Sequence, residues 1–158
     1  MAKRIKVGDI FSFPVANGFV FIQYLGKHSL MGECVLCCKA DAINDADFGR
    51  GRILFYPVKL NVEHGNIEFV KHADLLASVP EKIRRPFVLN RKVLYWFIDT
   101  PNETKKVIDL SEEQRGYPIG TGLSHVVLEE IFEGTQWFLF SSDNFVEKHD
   151  EYLSLIHI

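Results

Sequence analysis

The sequence lacks an apolar run long enough to cross a membrane. Its longest uninterrupted apolar stretch is Val93–Ile98, whereas a spanning helix needs about 18 or more such residues. The basic opening Ala2–Lys6 is followed directly by Gly8 and Asp9, with no apolar segment of signal-peptide length behind it. We therefore expect no membrane segment, no export and a cytoplasmic location.

An excess of positive charge is also missing. The chain has 18 Lys and Arg against 21 Asp and Glu, which gives a formal net charge of −3, and its pI is near 6.1. A protein whose main work is to grip phosphate backbones needs a concentrated basic field. The composition therefore argues against nucleic acid as the main partner.

Cysteine is scarce, and its placement does not suit a disulfide framework. The three cysteines are Cys34, Cys37 and Cys38, and an odd, clustered set is not the pattern of a secreted disulfide-rich domain. Cys34 and Cys37 have C-x-x-C spacing, but on a strand they would point to opposite faces, and no second pair completes four zinc ligands. We predict that the three bind no metal and form no bridge with one another, that Cys34 shares a face with Cys38, and that the chain holds no cofactor.

Aromatic residues, by contrast, are abundant and favour strands. The 13 Phe, 5 Tyr and 2 Trp suit pleated, half-buried surfaces. An N-terminal hairpin is predicted by the alternation in Val7–Val15, the turn residues at Ala16–Gly18 and the apolar segment Phe19–Leu25. A third strand is predicted at Glu33–Lys39. Further strands are predicted at Ile53–Val58, Ile67–Val70, Phe87–Leu89, Val93–Asp99, Lys105–Asp109 and Gln136–Phe140.

Helix signals are few. The segment Ser124–Glu133 combines a capping serine with a single apolar stripe, which predicts one late helix. Ser111 and Gln114 have capping-box spacing for a short helix, and Ala73–Val79 is a second short candidate that ends before a proline. The predicted fold class is mainly β (α+β): an antiparallel meander or partly open barrel-like sheet with one late α-helix and one or two short helices.

No repeat or low-complexity linker divides the chain. Residues 6–149 are therefore predicted to form a single domain. The closing Ser154–Ile158 resembles translated sequencing adapter, and we expect residues 150–158 to be a tail of artefactual origin. The residues predicted to be buried lie on one face of each strand and on the apolar stripe of the late helix. They are Phe11, Phe13, Ile22, Leu36, Phe55, Tyr95, Phe97, Leu128, Ile131 and Trp137.

A polar segment from Ala40 to Arg52 interrupts the strand pattern and predicts a long loop. Loops on a rigid scaffold tolerate change and carry recognition, and placed charges often decide which partner is accepted. We predict that this loop contributes a partner-binding surface. The charged residues expected to form it are Asp41, Asp45, Asp47, Arg50 and Arg52.

No motif in the sequence satisfies the requirements of a catalytic site. Ser124 and His125 are adjacent, but a nucleophile needs a base aimed at its hydroxyl and a third group that orients the base, so capping is the simpler role for Ser124. Gly120–Gly122 lacks the lysine of a phosphate-binding loop, and the spacing from Asp41 to Asp47 does not match a calcium loop. We predict that the chain is not an enzyme.

Four segments occur in an order that resembles a known family: Val7–Phe11, Phe55–Val58, Tyr95–Trp96 and Leu128–Gly134. Together they resemble the immunity protein 26 family of bacterial polymorphic toxin systems, over most of the chain. That family has a V-G-D-I-F opening, a tyrosine-proline strand, a central tryptophan strand and a late helix that ends in glycine. The resemblance implies a mostly β protein that binds and neutralises a cognate toxin domain of a contact-dependent or secreted system, without catalysis.

Two other classes stay open at the level of sequence. A small hydrolase-type enzyme would need a concave pocket with converging titratable groups. A small barrel-like nucleic-acid-binding protein would stack bases on exposed aromatic residues such as Tyr95 and Trp96. The cations that would accompany those aromatic residues are Lys3, Arg4, Lys6, Arg84, Arg85, Arg91 and Lys92.

Overall fold

The computed structural model describes residues 4–89 and 92–133. Contacts divide this part of the chain into two compact units, which are described separately: residues 4–79 with 122–133, and residues 80–121. Both units are built on antiparallel sheets, so the mainly β fold class is confirmed, and neither sheet closes into a barrel. The predicted single domain over residues 6–149 runs beyond the described residues and stays a prediction.

The first unit contains a five-stranded antiparallel sheet with strand order β4-β3-β2-β1-β5. Consecutive strands β1 to β4 are neighbours, which is the predicted meander, and β5 returns to pair with β1. The segment Phe19–Leu25, which is apolar on both faces, lies in the central strand β2, where both faces of the sheet are covered. The strands are β1 (Asp9–Val15), β2 (Gly18–His28), β3 (Gly32–Ala40), β4 (Arg52–Phe55) and β5 (Glu68–His72).

The two faces of this sheet bury different sets of side chains. On one face Phe13 contacts the ring of His125, with the centroids 4.6 Å apart, and the late helix packs against β1. On the other face Ile10, Phe21 and Cys38 form a buried cluster. Because β3 runs unbroken from Gly32 to Ala40, Cys34 and Cys38 share this second face, as predicted.

Two helices accompany the first sheet: α1 (Val58–Glu63) and the late helix α3 (His125–Glu133). The hydroxyl oxygen of Ser124 accepts a hydrogen bond from Val127 N at 3.3 Å, which confirms the capping role. Helix α1 was not predicted, since Val58 was assigned to the end of a strand. The helix predicted at Ala73–Val79 is wrong, because that segment has no helical turn.

The second unit is a three-stranded antiparallel sheet with strand order β6-β7-β8. Its strands are β6 (Ile83–Leu89), β7 (Lys92–Asp99) and β8 (Thr104–Val107), followed by the short helix α2 (Glu112–Arg115). Ser111 and Gln114 form the predicted capping box at the start of α2.

Among the described residues, no helix is long and apolar enough to cross a membrane.

Burial agrees with the predicted core in the first unit and differs in the second. Phe11, Phe13, Ile22, Leu36, Phe55 and Leu128 are all buried, whereas Ile131 is only partly buried. In β7 the predicted parity is wrong: Tyr95 and Phe97 are partly exposed, while Trp96 and Ile98 are buried. Trp137 and the strand predicted at Gln136–Phe140 lie outside the described residues.

Candidate partner-binding surface

The loop between β3 and β4 is anchored by its apolar residues. Ile43, Ala46 and Phe48 pack against the cluster of Ile10, Phe21 and Cys38 on the second face of the sheet. Apolar side chains removed from water on one side hold a loop in a single arrangement. The loop is therefore ordered and packs on the sheet, and its other side faces solvent.

Two turns of 3₁₀-helix give this loop its local shape. The first spans Ile43–Asp45 and the second Phe48–Arg50. The Asp47 carboxylate begins the second turn by accepting a hydrogen bond from Gly49 N at 3.1 Å, the usual role of aspartate before a turn. Gly51 N then donates to Phe48 O at 3.0 Å and ends it.

All five charged residues predicted for the surface are exposed: Asp41, Asp45, Asp47, Arg50 and Arg52. The loop therefore presents three carboxylates and two guanidinium groups. Asp47 and Arg50 are 3.6 Å apart, and an ion pair this exposed contributes little to stability. Their charges are available to a partner at little cost to the fold.

Gly51 fixes how closely the loop approaches the sheet. A Cβ at this position would lie 2.8 Å from Cys37 O and 3.0 Å from Phe48 O. Both atoms belong to the backbone, so neither can move aside without shifting a strand or the turn. The position of the charged residues therefore depends on a glycine at residue 51.

The three cysteines of β3 are buried, free thiols, and Cys38 lies in the cluster beneath the loop. Burial raises the pKa of Cys34 to about 12, and burial together with the nearby Asp47 carboxylate raises that of Cys38 to about 11. A thiol with a raised pKa is a poor nucleophile at neutral pH. Cys38 contributes to the loop's anchor as a small apolar side chain.

A second cluster, which sequence reasoning missed, joins the late helix to the sheet. Tyr56 OH lies 2.9 Å from His125 Nδ1, and His125 Nε2 lies 3.7 Å from a carboxylate oxygen of Glu129. Burial raises the Tyr56 pKa, so the phenol stays protonated. The Glu129 carboxylate beside Nε2 favours the imidazole tautomer with its proton on Nε2, and in that tautomer Nδ1 accepts the hydrogen bond from the phenol.

The first unit also has a groove of about 550 Å³ with charges of both signs on its rim. Arg4, Lys27 and Lys59 are its cations, and Glu33 and Glu63 its carboxylates. Glu33 is already engaged, since it accepts a hydrogen bond from Val58 N at 2.6 Å at the start of α1. The rim presents no field of a single sign that would select an anion or a cation.

No family model, no curated protein and no solved structure matches this chain.

The cluster around His125 predicts a dependence of stability on pH. Burial lowers the His125 pKa below its usual 6.5, against a smaller opposing effect of Glu129. The unfolded chain therefore takes up this proton at a higher pH than the folded chain, and stability falls as the pH drops below about 6.5. Urea unfolding across this range should show the decline in the wild type and a smaller one in His125→Gln.

His64→Gln is the matched control for this measurement, because His64 is an exposed histidine of the same unit. Its stability profile should run parallel to that of the wild type. Parallel profiles for the wild type and His125→Gln would show that His125 is not the group responsible.

Proposed function

We propose that this protein is an immunity protein that binds and neutralises a cognate toxin domain of a bacterial polymorphic toxin system, and that the β3–β4 loop is part of its contact surface. The observation that carries the proposal is the two-sided character of this loop. Ile43, Ala46 and Phe48 face the sheet, while the five charged residues face solvent. The resemblance to the immunity protein 26 family supports the same function.

An anchored loop suits selective binding for a physical reason. Association is weakened by the entropy lost when flexible segments become ordered, so a loop that is ordered before binding loses less. Charges of both signs can attract a complementary surface and repel a wrong one. A protein that must recognise one toxin among many needs this kind of surface, and it needs no catalysis.

The aromatic residues of the second unit give little support to the nucleic-acid alternative. Phe87 stacks on Tyr95 from β6, with the centroids 4.6 Å apart and the rings nearly parallel. Lys106 reaches the same ring from β8, on the other side of β7, with Nζ 4.1 Å from the centroid. A base needs an open ring face to stack, and both faces of Tyr95 are in contact.

The enzyme alternative has its best candidate in the Tyr56, His125 and Glu129 cluster. The Tyr56 side chain is only 1% exposed, and burial raises its pKa, so it is neither accessible nor activated as a nucleophile. The same contacts explain how the first turn of α3 is fixed on the sheet. They favour a structural role over a catalytic one.

Growth rescue tests the proposal. Co-expression with the toxin encoded beside this gene should permit growth with the wild type and not with the fourfold variant Asp45→Ala, Asp47→Ala, Arg50→Ala and Arg52→Ala. Losing several interface charges should weaken binding by at least about tenfold. The matched control removes two acids and two bases elsewhere on the same unit: Lys59→Ala, Glu63→Ala, Glu68→Ala and Lys71→Ala.

Gly51→Ala provides an independent variant, because it keeps every charge and displaces the loop. It should also weaken protection if the loop's position matters. Full protection by both the fourfold variant and Gly51→Ala would exclude the loop from the interface. Failure of the wild type to protect against the adjacent toxin would contradict the immunity function itself.

A further inference from the structure

Tyr24, in the central strand β2, has a buried side chain whose hydroxyl has no partner among the described residues. The residue is only 9% exposed, and within the described part of the chain its hydroxyl makes no hydrogen bond. The phenol of Tyr56, which is also buried, lies 2.9 Å from His125 Nδ1. Buried polar groups are hydrogen-bonded as a rule, so an unpaired hydroxyl calls for an explanation.

The Tyr24 phenol is a hydrogen-bond donor at neutral pH. Burial, with a smaller contribution from the Glu33 carboxylate, raises the pKa of Tyr24 and keeps the phenol protonated. Glu33 does not accept from it, and its Oε2 accepts from Val58 N and Lys59 N at 2.6 and 3.2 Å. An oxygen of a bound ligand would satisfy this donor, and a carboxylate oxygen is a stronger acceptor than a neutral one.

Tyr24 lines the groove of about 550 Å³ whose rim carries charges of both signs. Sites for small molecules usually have volumes of roughly 300 to 1,000 Å³, so the groove is large enough for one. Ile5 and Val62 contribute apolar side chains to its lining. The groove therefore combines apolar walls with a buried donor that has no partner among the described residues.

The charges around the groove favour a ligand that carries both signs. Among the described residues, none of its three cations, Arg4, Lys27 and Lys59, forms an ion pair. The Glu63 carboxylate forms none either, and Glu33 adds a second negative charge to the rim. Because these charges largely offset one another, a simple anion or a simple cation gains little from the groove. A ligand with one charged group of each sign can meet both kinds of side chain.

We propose that this groove binds a small zwitterion with one carboxylate and one ammonium group on an apolar body, as in a free amino acid or a short peptide. The carboxylate accepts from the Tyr24 hydroxyl and faces the cations of the rim, and the ammonium group faces Glu63. The apolar body lies against Ile5 and Val62. The site is distinct from the β3–β4 loop, and the proposal does not rest on the immunity function.

Titration of the full chain with leucine and with leucyl-leucine, followed by NMR, tests this site. At least one probe should shift the amide resonances of residues 24–27 and of α1, with Kd below about 1 mM. The N-acetyl form of each probe lacks the ammonium group, and the C-terminal amide lacks the carboxylate. Both blocked forms should bind at least about tenfold more weakly than the free probe. Tighter binding of leucine would identify a free amino acid as the ligand, and tighter binding of leucyl-leucine a short peptide.

Tyr24→Phe removes the hydroxyl and keeps the ring. It should weaken binding of the tighter probe by at least about tenfold, because the hydrogen bond to the carboxylate is lost. The urea midpoint of the ligand-free protein should not fall, because the hydroxyl has no partner in the described part of the chain. Tyr117→Phe is the matched control: it removes a hydroxyl that donates to Glu113 in the second unit, and it should leave binding unchanged.

Glu63→Gln tests the ammonium end of the ligand. It should weaken binding of the free probe and leave binding of the N-acetyl form unchanged, because the acetylated probe has no ammonium group for Glu63 to meet. Glu68→Gln removes another exposed carboxylate of the same unit and should affect neither probe. Unfolding midpoints of both variants confirm that they fold.

Absence of saturable shifts with both probes, or shifts that do not include residues 24–27 and α1, would overturn the proposal. So would equal binding of the free and blocked probes, or wild-type affinity in Tyr24→Phe or in Glu63→Gln. A lower unfolding midpoint for Tyr24→Phe would also overturn it, because the hydroxyl would then be bonded within the protein.

Discussion

Replacing Gln23 with methionine is expected to lower the free energy of unfolding by on the order of 3 kcal/mol. The Gln23 side chain is fully buried in the central strand of the first sheet. Its amide nitrogen donates to Asp74 O at 2.9 Å and Gly8 O at 3.3 Å, and its oxygen accepts from Leu76 N at 3.0 Å. Methionine has a similar length but would remove the partner of Asp74 O and Leu76 N, which are part-buried, and would leave Gly8 O with only the hydrogen bond from Ala73 N.

Urea unfolding measures this effect, with Gln114→Met as the matched control. Gln114 also bonds to backbone, since its side chain accepts from Ser111 N at 2.8 Å, but that bond is exposed and water can replace it. The control should lower the free energy of unfolding by only about 1 kcal/mol. A smaller loss for Gln23→Met than for Gln114→Met would show that the buried amide does not hold the segment Ala73–Leu76.

Gly8→Ala is expected to lower the free energy of unfolding by at least about 3 kcal/mol. The backbone at Gly8 has φ +100°, a conformation that side chains disfavour. An added Cβ would also lie 2.4 Å from Ala73 O. Relief would require moving the backbone next to Gln23, because Gly8 N donates to Tyr24 O and Gly8 O accepts from Ala73 N.

Gly65→Ala separates the two causes of this loss. Gly65 has φ +75°, yet no heavy atom lies within 4 Å of a Cβ placed there. Only the conformational cost then remains, about 1 to 2 kcal/mol. Thermal or urea unfolding of both variants gives the comparison, and equal losses would mean that the contact with Ala73 adds nothing.

The sequence predicted the first sheet well because its hairpin signals are local. Alternation in β1, turn residues before Gly18 and the apolar β2 together determine the meander. The second sheet was harder, because Val93–Ile98 is apolar at every position and its period gives no inward face. There the pairing of Phe87 with Tyr95 and the burial of Trp96 determine the face, and both depend on tertiary contacts.

Helix α1 was missed for a related reason. A helix start is usually recognised from a capping residue close by in sequence, but here the Glu33 carboxylate accepts from Val58 N and Lys59 N. The capping group lies on β3 and reaches the helix only after the sheet has formed. Sequence reasoning cannot find such a cap, and it assigned Val58 to a strand instead.

The candidate surface was predicted in part. The exposure of Asp41, Asp45, Asp47, Arg50 and Arg52 was inferred from loop composition and is confirmed; their role in binding stays a prediction. The anchor formed by Ile43, Ala46 and Phe48 was not predicted, because three apolar residues in a polar loop have no period. The link from Tyr56 to His125 joins distant parts of the chain and has no sequence signal.

Isothermal titration of the purified protein with the proposed cognate toxin domain, sought in the gene next to its own, tests the central claim most directly. We predict a one-to-one complex with Kd below about 1 μM, weakened at least about tenfold in the fourfold loop variant and unchanged in the fourfold control. Absence of binding by the wild type, or equal affinity for the loop variant and the control, would contradict it.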